Sequence, residues 1–128
     1  MNIMVGYNGS EPSNAAVELA VLRAKAIGAE LIIVNCMDED VVAENIERKE
    51  EVLEQVCSQV KGKGVHCEQH LLIRGASAEE DFVNYALERG ADEIVIGVRK
   101  RSKVGKMVFG SFAQFVILNA HCPVTTVK

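Results

Sequence analysis

No apolar run in this chain approaches the ~20 residues that a membrane-crossing helix needs, and none of its cysteines form a C-x-x-C pair. The first absence excludes a helical membrane span. The second argues against the close ligand pairs of a zinc site, and Cys36, Cys57, Cys67 and Cys122 are too sparse for a disulfide framework. "MNIMVGYNGS" shows neither a basic n-region nor a small-residue cleavage site, so no secretory signal is read there and the cytoplasm is the expected compartment. Acids are missing from the whole C-terminal quarter, after Glu93. Residues 1–93 carry eight Lys and Arg against all eighteen acids, a balance of −10, whereas residues 94–128 carry six Lys and Arg and no acid, a balance of +6. The net −4 argues against broad nucleic-acid binding. The basic cluster Arg99, Lys100, Arg101, Lys103 and Lys106 suits a small anionic ligand or an acidic protein partner.

What is present is regular. The 128 residues, 48% hydrophobic and 25% charged, make one globular domain over 1–128, without internal repeats or a linker. "NIMVGY" is a short apolar strand closed by the turn formers "NGSEPS". Pro12 suits a first helical turn. Ala16, Leu19, Ala20, Arg23 and Ile27 fall near one helical face, and Gly28 stands where a C-cap glycine belongs. "AELIIVNCM" is a buried strand. A second helix is expected from Asp38 to Gly64, with acids in its first turn, lysines at its end, and Val42, Ile46, Lys49, Leu53, Val56 and Val60 at three- and four-residue steps. "VHCEQHLLI" is a third strand. Strand alternation puts His66 and His70 on one face and Cys67 on the other, so no metal site is expected there. Ser77 and Glu80 form a capping box for a third helix ending at Gly90. "DEIVIGV" is a fourth strand. Ser111 caps a fourth helix carrying Phe112, Phe115, Val116 and Leu118, and "PVTTVK" is a fifth strand.

Alternating strands and helices predict an open, mostly parallel five-stranded sheet with helices on both faces. With right-handed crossovers, the order is 3-2-1-4-5 and the switch point lies between strands 1 and 4. Ligands of such sheets bind outside the strand carboxyl ends at that point, where "YNGSEPS" and "GVRKRSKVGKMVFGS" meet. The second stretch is not a Walker A loop, since Met107 follows Gly105-Lys106 and Lys100 holds the first-glycine position; no G-x-G-x-x-G follows strand 1. It reads either as an anion-binding loop or as a solvated connection. In the first reading Gly97 lets a sugar or base approach the backbone, and Gly110-Ser111 opens a helix whose free N–H groups favour an anion. In the second, Ser111 is only an N-cap. A thiol at Cys36 near the basic loop would have a lowered pKa and redox reactivity; a small buried hydrophobe is the competing role for Cys36 and Cys122.

The segments "IMVGYNGSEPSNAAVELAVLRAKAIGAELIIVNC", "RGASAEEDFVNYALERGADEIVIGVRKRS" and "GSFAQFVILNAHCPVTTVK" together resemble the universal stress protein family over nearly the whole chain. The resemblance implies a Rossmann-like fold of the adenine nucleotide alpha hydrolase type. It also implies a cytoplasmic stress or regulatory protein that binds ATP or AMP, with at most very slow hydrolysis and no clear general base; Glu11 and Glu93 are the nearest acids in sequence. Gly97, Gly110 and Ser111 match the family's G-x2-G-x9-G-[ST] spacing, while Lys100 replaces the second glycine. Gly6 and Asn8 fall on the strand-1 turn, with Asn8 where relatives carry Asp near the ribose and phosphates; this weakens the case for Mg2+ accompanying ATP. Cys36 and Ile96 fall against the adenine, and Phe112 follows the hydroxyl position. Lys100 either occludes the phosphate site or brings an ammonium to it. In the alternative reading Lys100 fills that site and the protein is an ATP-independent dimeric interaction module. The family also implies a homodimer through the C-terminal strand and an unidentified regulatory protein partner.

Overall fold

The computed structural model describes residues 1–38, 44–99 and 110–128. Strands β1 (Asn2–Gly6), β2 (Glu30–Cys36), β3 (Cys67–Leu72), β4 (Glu93–Gly97) and β5 (Val124–Val127) alternate with helices α1 (Glu11–Ile27), α2 (Glu44–Gly62), α3 (Ala78–Glu88) and α4 (Ser111–Asn119). The sheet order is β3-β2-β1-β4-β5 and every pairing is parallel, as the alternation of elements predicts. Val42 and the basic residues Lys100, Arg101, Lys103 and Lys106 lie outside the described residues. No helix of the described residues is long and apolar enough to cross a membrane.

Strand periodicity divides the core into two layers. Ile3, Val5, Leu31, Ile33 and Val95 face α1 and α2. Met4, Ile32, Val34, Ile94 and Ile96 face α3 and α4, where Phe82 is wholly buried. Truncating such a phenylalanine to alanine typically costs about 3–5 kcal/mol.

Helix ends follow their residues closely. Gly28 adopts φ 70° and its N–H reaches the Ala24 carbonyl, closing α1. The Ser77 hydroxyl accepts from the Glu80 N–H at 3.2 Å, and Asp38 Oδ1 accepts from the Ala78 N–H at 3.0 Å. Asp38 therefore sits at the positive end of α3, not in the first turn of α2 as its sequence neighbours suggest. Two further expectations are corrected. The buried face of α1 runs through Ser13, Ala16, Val17, Ala20, Val21 and Ala24, leaving Arg23 and Ile27 exposed. In α4 the N-cap is Gly110, with no side-chain cap bond. Ser111 is the first helical residue, and Leu118 points to solvent.

Candidate functional site

At the carboxyl ends of β1, β2 and β4 the chain leaves a cavity of about 200 Å³. Its apolar floor is Gly6, Val34, Cys36, Ile96 and Phe112; Tyr7, Asn8, Ser10, Ser13 and Asn35 supply the polar rim. The parallel register brings these residues together, setting Gly6 beside Val34 and Val5 beside Val95. Gly6 keeps the floor low: a Cβ there would come 3.1 Å from Ile96 Cγ2 and 3.4 Å from the Phe82 ring. Phe82 meets Phe112 edge to face at a centroid distance of 5.2 Å, which anchors the first turn of α4 to α3 beside the crevice.

Six of the nine residues singled out from sequence line this cavity: Gly6, Asn8, Cys36, Ile96, Gly97 and Phe112. Gly110 and Ser111 do not line it but stand at the start of α4, just before Phe112. Lys100 lies outside the described residues.

The two glycines of the proposed loop differ physically. A Cβ on Gly97 would collide with the backbone carbonyl of Pro12. The missing side chain at Gly97 is therefore explained by the close crossing of α1 over β4, a packing reason that stands beside its place in the cavity lining. Gly110 has φ −66°, and a Cβ there meets no described atom within 4 Å. Nothing in the described fold requires glycine at 110.

The β1–α1 turn is self-bonded. Asn8 Oδ1 accepts from the Ser10 N–H at 3.1 Å, and Ser10 Oγ accepts from the Ser13 N–H at 3.3 Å. Ser13 Oγ donates to the Ser10 carbonyl at 2.8 Å. Gly9, at φ 85°, supplies the left-handed residue this turn requires. Asn8 thus serves the turn through its side-chain carbonyl while lining the cavity.

Burial pushes the Cys36 thiol up to about 12, helped by the Asp81 carboxylate and opposed by Arg74. This favours the small buried hydrophobe over the reactive thiol for Cys36. Burial also raises Cys122, with Asp92 and Glu93 adding to it. Neither acid near in sequence belongs to the crevice lining. Glu93 lies at the opposite end of β4, bonded to Arg23 Nε at 2.8 Å and to Thr125 Oγ1 at 2.9 Å, and Glu11 is exposed. The described lining offers amides, hydroxyls and a thiol but no carboxylate, a donor set that does not fit Mg2+.

Sequence reasoning missed Tyr7, Ser10, Ser13, Val34 and Asn35 as lining residues. One signal was available for Asn35: it interrupts the apolar strand "ELIIVNC" at a position only 9% exposed.

Comparison with known proteins gives a consistent picture. Residues 1–128 match the model of the Universal stress protein family. A universal stress protein of Thermus aquaticus is 33% identical over 134 residues, covering 98% of this chain and 97% of that protein. Among solved structures, a universal stress protein from Archaeoglobus fulgidus superposes with a TM-score of 0.89 at 35% identity, covering 100% of this chain and 98% of that one. The structure of the universal stress protein from Archaeoglobus fulgidus in complex with dAMP gives 0.83 at 31% identity, with coverage of 100% and 98%.

Proposed function

The chain belongs to the universal stress protein family, and on that premise we propose that it binds an adenine nucleotide, AMP or ATP, in the crevice between the β1–α1 turn and the segment following β4. The observation that carries this reading is the cavity at the switch point, with an apolar floor for a base and a polar rim for a sugar. The 5′-phosphate lies at the start of α4, whose first N–H groups have no side-chain cap. A related protein of the same fold is known in complex with dAMP, which supports the same ligand class here. With no carboxylate in the described lining, the role is binding and regulation rather than turnover. The free edge of β5, paired only with β4, is the proposed homodimer contact.

The test is calorimetric titration of nucleotide-stripped protein with AMP and with ATP, with and without Mg2+. Micromolar binding, about −8 kcal/mol, is expected, with no tightening by Mg2+. Because a Cβ at 110 meets no described atom within 4 Å, Gly110→Val with Ser111→Ala is expected to fold and to lose the nucleotide. No heat and no thermal shift at millimolar nucleotide would sink this reading and leave the interaction module in which Lys100 fills the site.

A further inference from the structure

A second cavity, of about 240 Å³, opens on the other face of the sheet under α2. It shares Tyr7, Asn8 and Asn35 with the crevice. From α2 it takes Asn45, Arg48 and Lys49, with Val52 and Leu53 as an apolar wall. No acid is among its described lining residues, and Asn45, Arg48 and Lys49 all fall in the first two turns of α2. Two cations, Arg48 and Lys49, therefore converge on one space.

Asn35 is the second, independent observation. Strand alternation turns Ile33 and Asn35 toward α1 and α2, while Val34 and Cys36 turn toward α3 and α4. The residue is 9% exposed, borders both cavities, and its side chain has no hydrogen-bond partner among the described residues. Its amide atoms are not sealed from solvent: they open onto these two spaces, where the oxygens of a bound ligand can replace water as their partner.

We propose that this cavity holds a second phosphate, carried on the sugar of the nucleotide whose base occupies the crevice: the ligand is an adenosine phosphorylated at two separate hydroxyls, the 5′ and the 2′ or 3′. The inference rests on the adenine-nucleotide reading. One anion site, the start of α4, is on the α3/α4 face; the other, Arg48 and Lys49, is on the α1/α2 face; Asn8 and Asn35 stand between them. A linear polyphosphate runs in one direction from the sugar and reaches only one of these sites. Phosphates on opposite sides of the ribose reach both.

The experiment titrates nucleotide-stripped protein with AMP, adenosine 3′,5′-bisphosphate and adenosine 2′,5′-bisphosphate. One bisphosphate is expected to bind about tenfold tighter than AMP. In Arg48→Gln/Lys49→Gln that ratio is expected to fall to about one, while Lys61→Gln/Lys63→Gln, which removes the same charge from the far end of α2 and the turn after it, leaves it intact. Arg48 is exposed and Lys49 half-buried, so the double variant should fold; the single Lys49→Gln, expected to lose part of the ratio, is the second variant. AMP binding as tightly as both bisphosphates overturns the inference alone. So does a preference that survives Arg48→Gln/Lys49→Gln, or one lost equally in the Lys61/Lys63 control. Binding of none of the three ligands overturns the adenine reading and the inference together.

Discussion

At the scale of single residues, Gly97 and Gly110 look alike in the motif and have different physical reasons. Gly97 is required by Pro12, whose backbone occupies the place of a side chain. Gly97→Ala is expected to lose about 3 kcal/mol in urea denaturation, as overpacking against an immobile backbone does. Gly110→Ala should stay within about 1 kcal/mol, the usual N-cap difference. Wild-type stability for Gly97→Ala would mean that α1 moves freely off β4, and the account of Gly97 would fail. The spacing of the glycines was legible in the sequence, but which one serves the fold was not, because Pro12 and Gly97 are far apart in the chain and meet only through a helix crossing. Cys36 teaches the same point: the strand order brings it to the same end of the sheet as the basic run, but in the folded chain burial and Asp81 outweigh Arg74.

Among the elements, α1 shows why a helix can be recognised more securely than its buried face. Its end signals, Pro12 in the first turn and the Gly28 cap, are local and hold, while the Ser10 N-cap appears only in the fold. Its buried stripe is built from alanines, valines and Ser13, so the larger Leu19, Arg23 and Ile27 draw the predicted face about a fifth of a turn away. What Arg23 does instead is tertiary: it reaches Glu93 at the start of β4. The edge strand β3 is braced in the same way. Arg89, just past α3, donates to Glu68 Oε2 at 2.6 Å and to the Tyr85 hydroxyl at 2.7 Å. His70 Nε2 lies 3.3 Å from Glu68 Oε1. The Arg89 hydrogen bond holds the Glu68 carboxyl below the usual carboxylate range, and His70 adds to it. A folded-state pKa below the unfolded one means that the brace contributes fully above the unfolded value and is lost as pH falls through the folded one. Between about pH 5 and pH 3 the wild type should therefore lose more stability than Glu68→Gln. The difference should be only about 0.5 kcal/mol, because the carboxylate is partly exposed and screened, and urea midpoints at the two pH values would measure it. Equal losses in both proteins would show that the brace has no energetic weight.

For the molecule as a whole, the sheet has two edges, and β5 is the shorter, with Thr126 exposed and Val124 and Val127 half-buried. Pairing of two β5 strands would cover that edge. Light scattering at micromolar concentration is expected to give twice the chain mass, and Thr126→Pro, which removes a ladder N–H, to give the monomer; a monomeric wild type would end the proposal. Sequence alone determined the element order, the strand order β3-β2-β1-β4-β5 and the end of the sheet where a crevice opens. Each follows from short-range periodicity, turn chemistry and the handedness of crossovers. Only the tertiary structure decided which side chains face the crevice, that Gly97 answers to Pro12, and that Asn35 opens onto a second cavity under α2. Those facts depend on which face of each strand meets which helix, and on contacts between residues far apart in the chain, where local periodicity carries no information.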